Sequence, residues 1–283
     1  MEELVSFDVL PEDCVSAICS LTSPQDACRI SLVSSSFRSA ADSDMAWDRF
    51  LPFDWEDIMK RAVIPLKFSS KKEMFLQLCH PILLDGGKQI IALEKSTGLK
   101  SYTLSARELT ILHSNESNNW CWKPKPESRF AEVAELKTSN RIEIEAKIKS
   151  QMLSPNTKYG AYLIIQTSEN SFGLDSIPSE VTIVIADNVI ENTAYLSPKC
   201  ETKQQIESLF YANRARMMKM RVENGGDDRF PMARSDGWAE IEIGEFFNGN
   251  EIDQDIRMSL RETKGHQLKG GLTVEGIEIR PKN

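Results

Sequence analysis

The feature that most constrains this chain is a change of period. Up to about residue 95, apolar residues recur at helical spacing; from about Ser101 to the end they alternate one by one. A 3.6-residue stripe does not sit on a sheet, nor a two-residue alternation on a helix, so two architectures must follow one another along the chain. A length of 283 residues leaves room for about two domains, and 41% hydrophobic content supplies ordinary cores.

The first part opens on short helices. Pro11 suits a first helical turn, where its missing N–H is no loss, and Val15, Ile18 and Cys19 follow at helical spacing. Ser23 is placed to cap a second helix that starts at Pro24, with Asp26 reaching back from the third position and Ile30 and Val33 continuing the stripe. A third piece holds Phe37 and ends on Trp47, Phe50 and Leu51, spaced i, i+3, i+4. Three such helices in about 40 residues bury little surface, so much of their stripe is expected to dock on a partner.

Leu10-Pro11, Ser23-Pro24-Gln25-Asp26-Ala27, Val33-Ser34-Ser35-Ser36-Phe37 and Trp47, in that order and spacing, resemble an F-box, the motif by which ubiquitin-ligase substrate receptors hold the Skp-family adaptor. The resemblance implies adaptor contacts at Leu10, Pro11, Pro24, Val33 and Trp47, and a cullin reached through the adaptor. It assigns residues 1–52 to the F-box.

A formal net charge of −8 argues against nucleic acid or an anionic membrane surface as partner. The start, Met1-Glu2-Glu3-Leu4, is acidic where a secretory signal is basic, and no apolar run approaches the ~20 residues needed to span a bilayer. The expected location is the cytoplasm and/or the nucleus. Six scattered cysteines contain no C-x-x-C pair and are expected to be free thiols. Asn115-Glu116-Ser117 matches a glycosylation acceptor only by chance in such a compartment.

Residues 53–95 read as a helical linker. Asp54 is placed to cap a helix bearing Trp55, Ile58, Met59, Ala62 and Val63, stopped by Pro65. Ser70 and Glu73 have capping-box spacing ahead of Met74, Phe75 and Leu78, and Pro81 ends that helix. Together they predict a connecting stalk. Gly86-Gly87 is a break, and Ile90, Ile91 and Leu93 mark one more short element before the boundary at residue 96.

From there strands dominate. Ile142, Ile144, Ala146 and Ile148 alternate with charged residues; Tyr159 to Gln166 is apolar on both faces and predicts a central strand; Val181, Ile183 and Ile185 share a side. Ala239, Ile241 and Ile243 oppose Trp238, Glu240 and Glu242, and after the turn Asn248-Gly249-Asn250, Ile252, Ile256, Met258 and Leu260 point inward, with Asp253, Asp255, Arg257 and Ser259 outward. In the last strand Leu272 and Val274 have one parity and Ile277 and Ile279 the other; a β-bulge at Gly276 would put all four on one face. Many strands, turns and no crossover helices predict a β-sandwich. Lys203 to Met220 stands apart, either a basic recognition helix or a solvated insertion.

Little in the chain offers catalysis. His80, His113 and His266 are isolated and have no nucleophile motif beside them, Gly86-Gly87-Lys88 is too short for a phosphate loop, and Glu240 and Glu242 read as solvated charges on a strand face. No metal or organic cofactor is implied. Trp120-Cys121-Trp122, preceded by the polar loop His113 to Asn119, places two indoles on one side of a strand, where they either stack on a sugar or fill the core.

Ser105-Ala106-Arg107-Glu108-Leu109, Trp120-Cys121-Trp122, Ser128 to Leu136, Asp236-Gly237-Trp238, Gly244-Glu245-Phe246-Phe247 and the ending Gly271 to Pro281 resemble the plant phloem-lectin (Nictaba-related) family. With the F-box, the chain is similar to plant F-box proteins of the phloem-protein-two-like group. The resemblance implies a small all-α F-box, the helical linker, and an all-β jelly-roll-like sandwich lectin domain over residues 96–283, binding N-acetylglucosamine oligomers or N-glycan cores. By position its sugar-binding tryptophans fall on Trp120 and on His113, where this chain departs from the pattern, with Trp122 alongside. An imidazole in place of an indole removes on the order of 1–2 kcal/mol of stacking, roughly ten-fold in affinity. The expected role is that of a non-catalytic substrate receptor in an SCF-type ubiquitin ligase, its sandwich binding a glycoprotein or protein target. The alternatives are a soluble carbohydrate- or protein-binding module acting outside a ligase, and a glycoside-processing enzyme, which needs two carboxylates about 5–10 Å apart.

Overall fold

The computed structural model describes residues 10–175, 177–197, 229–250, 253–264 and 267–282. Lys203 to Met220, Ile252, His266 and Cys200 lie outside them. The chain forms two compact units, which divide between Thr103 and Leu104.

The first unit contains α1 (Glu12–Ser20), α2 (Pro24–Ile30), α3 (Ser35–Asp42), α4 (Asp44–Asp48), α5 (Trp55–Arg61) and α6 (Lys71–Leu78). Their starts are written in the sequence. The Ser23 hydroxyl accepts the Asp26 N–H at 3.1 Å and donates to the Asp26 carboxylate at 2.8 Å, and Ser70 accepts the Glu73 N–H at 3.2 Å. The third helix does not run through to Trp47. Ser43 turns extended (ψ 146°), donates its hydroxyl to the Ala40 carbonyl at 2.8 Å and accepts from the Ala46 N–H at 3.3 Å, so it closes α3 and opens α4. A serine hydroxyl competes with the helical ladder in this way, and periodicity alone does not register it.

Trp47 is wholly buried. Its indole N–H donates to the Ala41 carbonyl at 2.6 Å, and the rings of Phe50 and Phe75 lie 5.5 and 5.2 Å away. Because Phe75 belongs to α6, the linker helices pack into the same core as the F-box helices instead of standing off as a stalk. α5 also ends earlier than its stripe predicts. Beyond Arg61, Ala62 bridges to Leu84 and the Val63 N–H donates to the Leu83 carbonyl at 2.9 Å, drawing the chain onto β1 (Ile82–Leu84). Asp54 takes the N-cap position of α5 without capping it, since its carboxylate pairs at 3.0 Å with the ammonium of Lys100, a side chain only 1% exposed. β1 pairs antiparallel with β2 (Gln89–Leu93) across Asp85-Gly86-Gly87, all three at positive φ, so the element expected at Ile90 is one arm of a hairpin. β2 leads on to β3 (Lys100–Ser105).

The second unit is an antiparallel sandwich. Its strands are β4 (Thr110–Ile111), β5 (Trp120–Lys123), β6 (Val133–Leu136), β7 (Ile142–Lys149), β8 (Thr157–Phe172), β9 (Ser179–Ile185), β10 (Asn188–Ala194), β11 (Met232–Ala233), β12 (Ala239–Asn248), β13 (Asp255–Glu262) and β14 (Gly270–Pro281). One sheet runs β5-β6-β14-β8-β12-β11 and the other β10-β9-β13-β7-β4. β8 is central, as its two apolar faces require, and Ile142, Ile144, Ala146 and Ile148 point into the core. Ser259, expected outside, is buried at 8% exposure next to Thr182 and Glu145 of the flanking strands.

The last strand carries the fault that its parity announces. Val274 pairs with Ile165 and Gly276 with Ile164, leaving Glu275 as the extra residue, and Leu272, Val274, Ile277 and Ile279 are all fully buried. Glycine is required because a Cβ at residue 276 would stand 2.0 Å from the Leu104 carbonyl oxygen.

Candidate binding surfaces

On the helical unit, the predicted adaptor contacts divide by exposure. Val33 is 69% exposed, Pro11 is exposed and Leu10 is half-buried. Pro24 is buried at the first turn of α2, and Trp47 is fully enclosed and supports the surface from beneath. Periodicity misses two stronger candidates. Leu21, at the end of α1, is 68% exposed, and Leu32, in the α2–α3 turn, is 77% exposed. Both lie outside the helical spans, where no repeat flags them. Covering a leucine of this kind yields roughly 1.5–3 kcal/mol, and exposed apolar groups concentrated in so small a unit mark a docking surface.

On the sandwich, the indoles of Trp120 and Trp122 project to one side of β5, as the i, i+2 spacing requires. Their N–H groups donate to the preceding loop, Trp120 to the Leu112 carbonyl at 3.1 Å and Trp122 to that of Ser114 at 3.3 Å. His113 sits in this loop at φ 60°, exposed, its Nδ1 2.7 Å from the Glu116 carboxylate. The three predicted sugar contacts therefore surround one loop, but their faces are not equally open. Trp120 is 2% exposed and fills the core. Trp122 is half-buried, and the guanidinium of Arg107 lies 3.7 Å from its ring centroid, held there by Glu132. A neutral sugar stacking on that face would have to displace Arg107. No local pattern links Arg107 to Trp122; only the fold brings them together.

Glu240 is not a solvated face charge. Its side chain is 14% exposed and pairs with Arg280 at 2.6 Å and Arg234 at 2.7 Å. Nearby Glu278 pairs with Arg129 at 2.9 Å and Arg280 at 3.0 Å. Burial pushes both carboxyls up, yet the arginines outweigh it and hold them below the ordinary range. Glu245 is drawn down to about 2 by Lys158 and Lys282. A glycosidase acid needs its carboxyl pushed the other way. Among the described residues no three His, Cys, Asp or Glu side chains are grouped to hold a metal ion.

A helical unit with exposed apolar residues, followed by an antiparallel sandwich, makes this a two-part protein of a helical and an all-β unit. The F-box-like family model matches residues 7–52 and the Phloem protein 2 model residues 99–281. F-box protein VBF of Arabidopsis thaliana is 44% identical over 279 residues, covering 97% of this chain and 99% of the relative. F-box protein PP2-B13 of the same plant is 45% identical over 278 residues (96% and 98%), and F-box protein PP2-B15 is 44% identical over 280 residues (97% and 96%). This chain belongs to the F-box proteins of the Phloem protein 2 family. An F-box ahead of a recognition domain is the organisation of substrate-recognition subunits, which act as adaptors in SCF-type ubiquitin ligases.

Proposed function

We propose that this chain holds a Skp-family adaptor through the apolar residues exposed at the end of α1 and in the α2–α3 turn, and that its sandwich selects a protein target for ubiquitination. The observation that carries the first half is the exposure of Leu21, Leu32 and Val33 within the F-box helices and their connecting turn, above a core built by Val15, Cys19, Trp47 and Phe50. For the second half, the buried Trp120 and the Arg107 cover on Trp122 favour reading of a protein surface over stacking on a bare sugar. Loop residues 113–119 with Arg107 and Trp122 form the reading edge.

The test has two arms. In calorimetric titrations of the full chain with a Skp-family adaptor, Val33→Asp should weaken binding at least about 30-fold, the scale of a hot-spot residue near 2 kcal/mol. An unchanged affinity would remove the assigned interface. In fluorescence titrations with N-acetylglucosamine oligomers and N-glycan cores, the parent chain should show no saturable change, and Arg107→Ala should gain one by uncovering Trp122. A saturable change in the parent that is lost in Trp122→Ala would replace protein reading with glycan reading.

A further inference from the structure

The sheet β10-β9-β13-β7-β4 ends on two unlike edges. β4 is two residues long, whereas β10 runs for seven, pairs with β9 without a register shift, and carries no lysine, arginine or proline. Short length, bulges and those residue types are what protect an edge strand, so β10 presents its backbone undefended. Which groups it presents follows from its C-terminal end. The Arg229 N–H donates to the Thr193 carbonyl at 3.3 Å, and the Tyr195 N–H donates to the Arg229 carbonyl at 2.8 Å. Odd-numbered residues therefore turn their backbone groups off the sheet, and by the two-residue period Val189 and Glu191 do the same. No described residue pairs with those two on that side. We propose that β10 is a docking edge that takes up an extended segment of the target protein as an added strand along residues 188–192; this rests on the reading of the sandwich as a binder of a protein target, and says how it holds one.

Two features choose that occupant. The edge already accepts added backbone: Arg229 bridges in parallel to Ala194, fixed there by its guanidinium on the Glu242 and Ile243 carbonyls (3.3 and 2.8 Å) and by the stacked rings of Tyr195 and Phe230. The N–H and C=O groups of Val189 and Glu191 continue the same row, and they match the donors and acceptors of an extended chain. A helix, whose backbone groups bond internally, has no such ladder to offer. The side chains add a pattern and a sign. Val189 is 56% exposed and stands opposite Val184; two residues on, Glu191 is exposed and no described residue pairs with its carboxylate. Side chains on an added strand would lie about 5 Å from these two. The favoured segment therefore places an apolar residue against Val189 and a lysine or arginine, two positions away, against Glu191.

The test uses the isotope-labelled full chain and the capped peptide Thr-Lys-Thr-Val-Thr-Lys-Thr, whose symmetry offers a lysine to Glu191 in either strand direction. In NMR titrations the amides of residues 188–192 should shift saturably, and hydrogen exchange at Val189 and Glu191 should slow by about ten-fold or more in the complex. Glu191→Pro removes an outward N–H and no internal hydrogen bond, so the sheet should keep its unfolding midpoint while affinity falls roughly ten-fold or more. Glu191→Lys should weaken the peptide about five-fold, and exchanging both peptide lysines for glutamate should restore binding to that variant. This exposed charge reversal decides the matter even if the proline variant folds poorly. Affinity unchanged in both variants would overturn edge addition. Shifts confined to the 113–119 loop, or absent altogether, would overturn it too, leaving the protein-target reading to its own Arg107 and Trp122 titrations. A dimer of the free chain that Glu191→Pro dissociates would give the edge to a second copy and likewise sink the proposal.

Discussion

Replacing Glu275 with alanine is expected to lower the unfolding free energy of the sandwich by about 3–5 kcal/mol, the scale for breaking a buried ion pair from one side. Glu275, the extra residue of the bulge, is fully buried, and it collects four hydrogen bonds: from the Ser128 hydroxyl (3.1 Å), the Arg129 N–H (2.8 Å) and the Arg129 guanidinium (2.7 and 3.2 Å). Its removal leaves the Arg129 N–H unanswered and the guanidinium with Glu278 alone. The same segment supplies the Glu127 carbonyl that accepts the Trp238 indole N–H at 3.1 Å. Trp238 is buried with Val133, Tyr162 and Ile164, so the loss should spread to this outer cluster. Urea denaturation followed by tryptophan fluorescence measures it; a change under about 1 kcal/mol would show that the pair is not worth its desolvation cost.

The surrounding carboxylates add a pH signature. Glu278 and Glu240, despite burial, and Asp236 are held below their ordinary values by arginines and, at Asp236, by the Trp238 N–H. A folded-state pKa lower than the unfolded one contributes stability that is complete above the unfolded value, near 4, and that disappears as pH falls through the folded value. These carboxylates should therefore hold their contribution to the sandwich above about pH 5 and lose it progressively below about pH 4, with Glu245 keeping its charge down to about 2.

Gly276→Ala should be nearly as damaging, at about 3 kcal/mol or more, the upper end for overpacking. The new Cβ would stand 2.0 Å from the Leu104 carbonyl oxygen, 3.0 Å from its carbon and 3.2 Å from the Ser105 Cα. All three are backbone atoms, so no side-chain rotation relieves the clash; either β14 or the segment at Leu104 must move. Gly249→Ala is the control: its Cβ would meet nothing within 4 Å, and a change within about 0.5 kcal/mol is expected. Comparable denaturation midpoints for the two alanine variants would overturn the close-approach account of Gly276.

The sequence by itself determined what depends on neighbours a few residues apart. Ser23 and Ser70 cap helices because the accepting hydroxyl and the N–H it needs are three residues apart, and the parity break at Gly276 appears because strand side chains alternate strictly. The F-box pattern and the two-part fold follow from such short-range rules. Tertiary structure decided what those rules cannot see. It buried Trp47 against Phe75 and Trp120 in the sandwich core, and it laid Arg107 over Trp122. It also surrounded Glu240 with arginines drawn from two other stretches of chain, where alternation predicted only a wet face. An indole presents the same pattern whether it packs or binds, and a charge on a strand looks solvated until a distant segment covers it. Which surfaces remain open to a partner is a property of long-range contacts, and the chain's own folding assigns Val33 and Leu32 to that surface while withdrawing Trp47 and Trp120 from it.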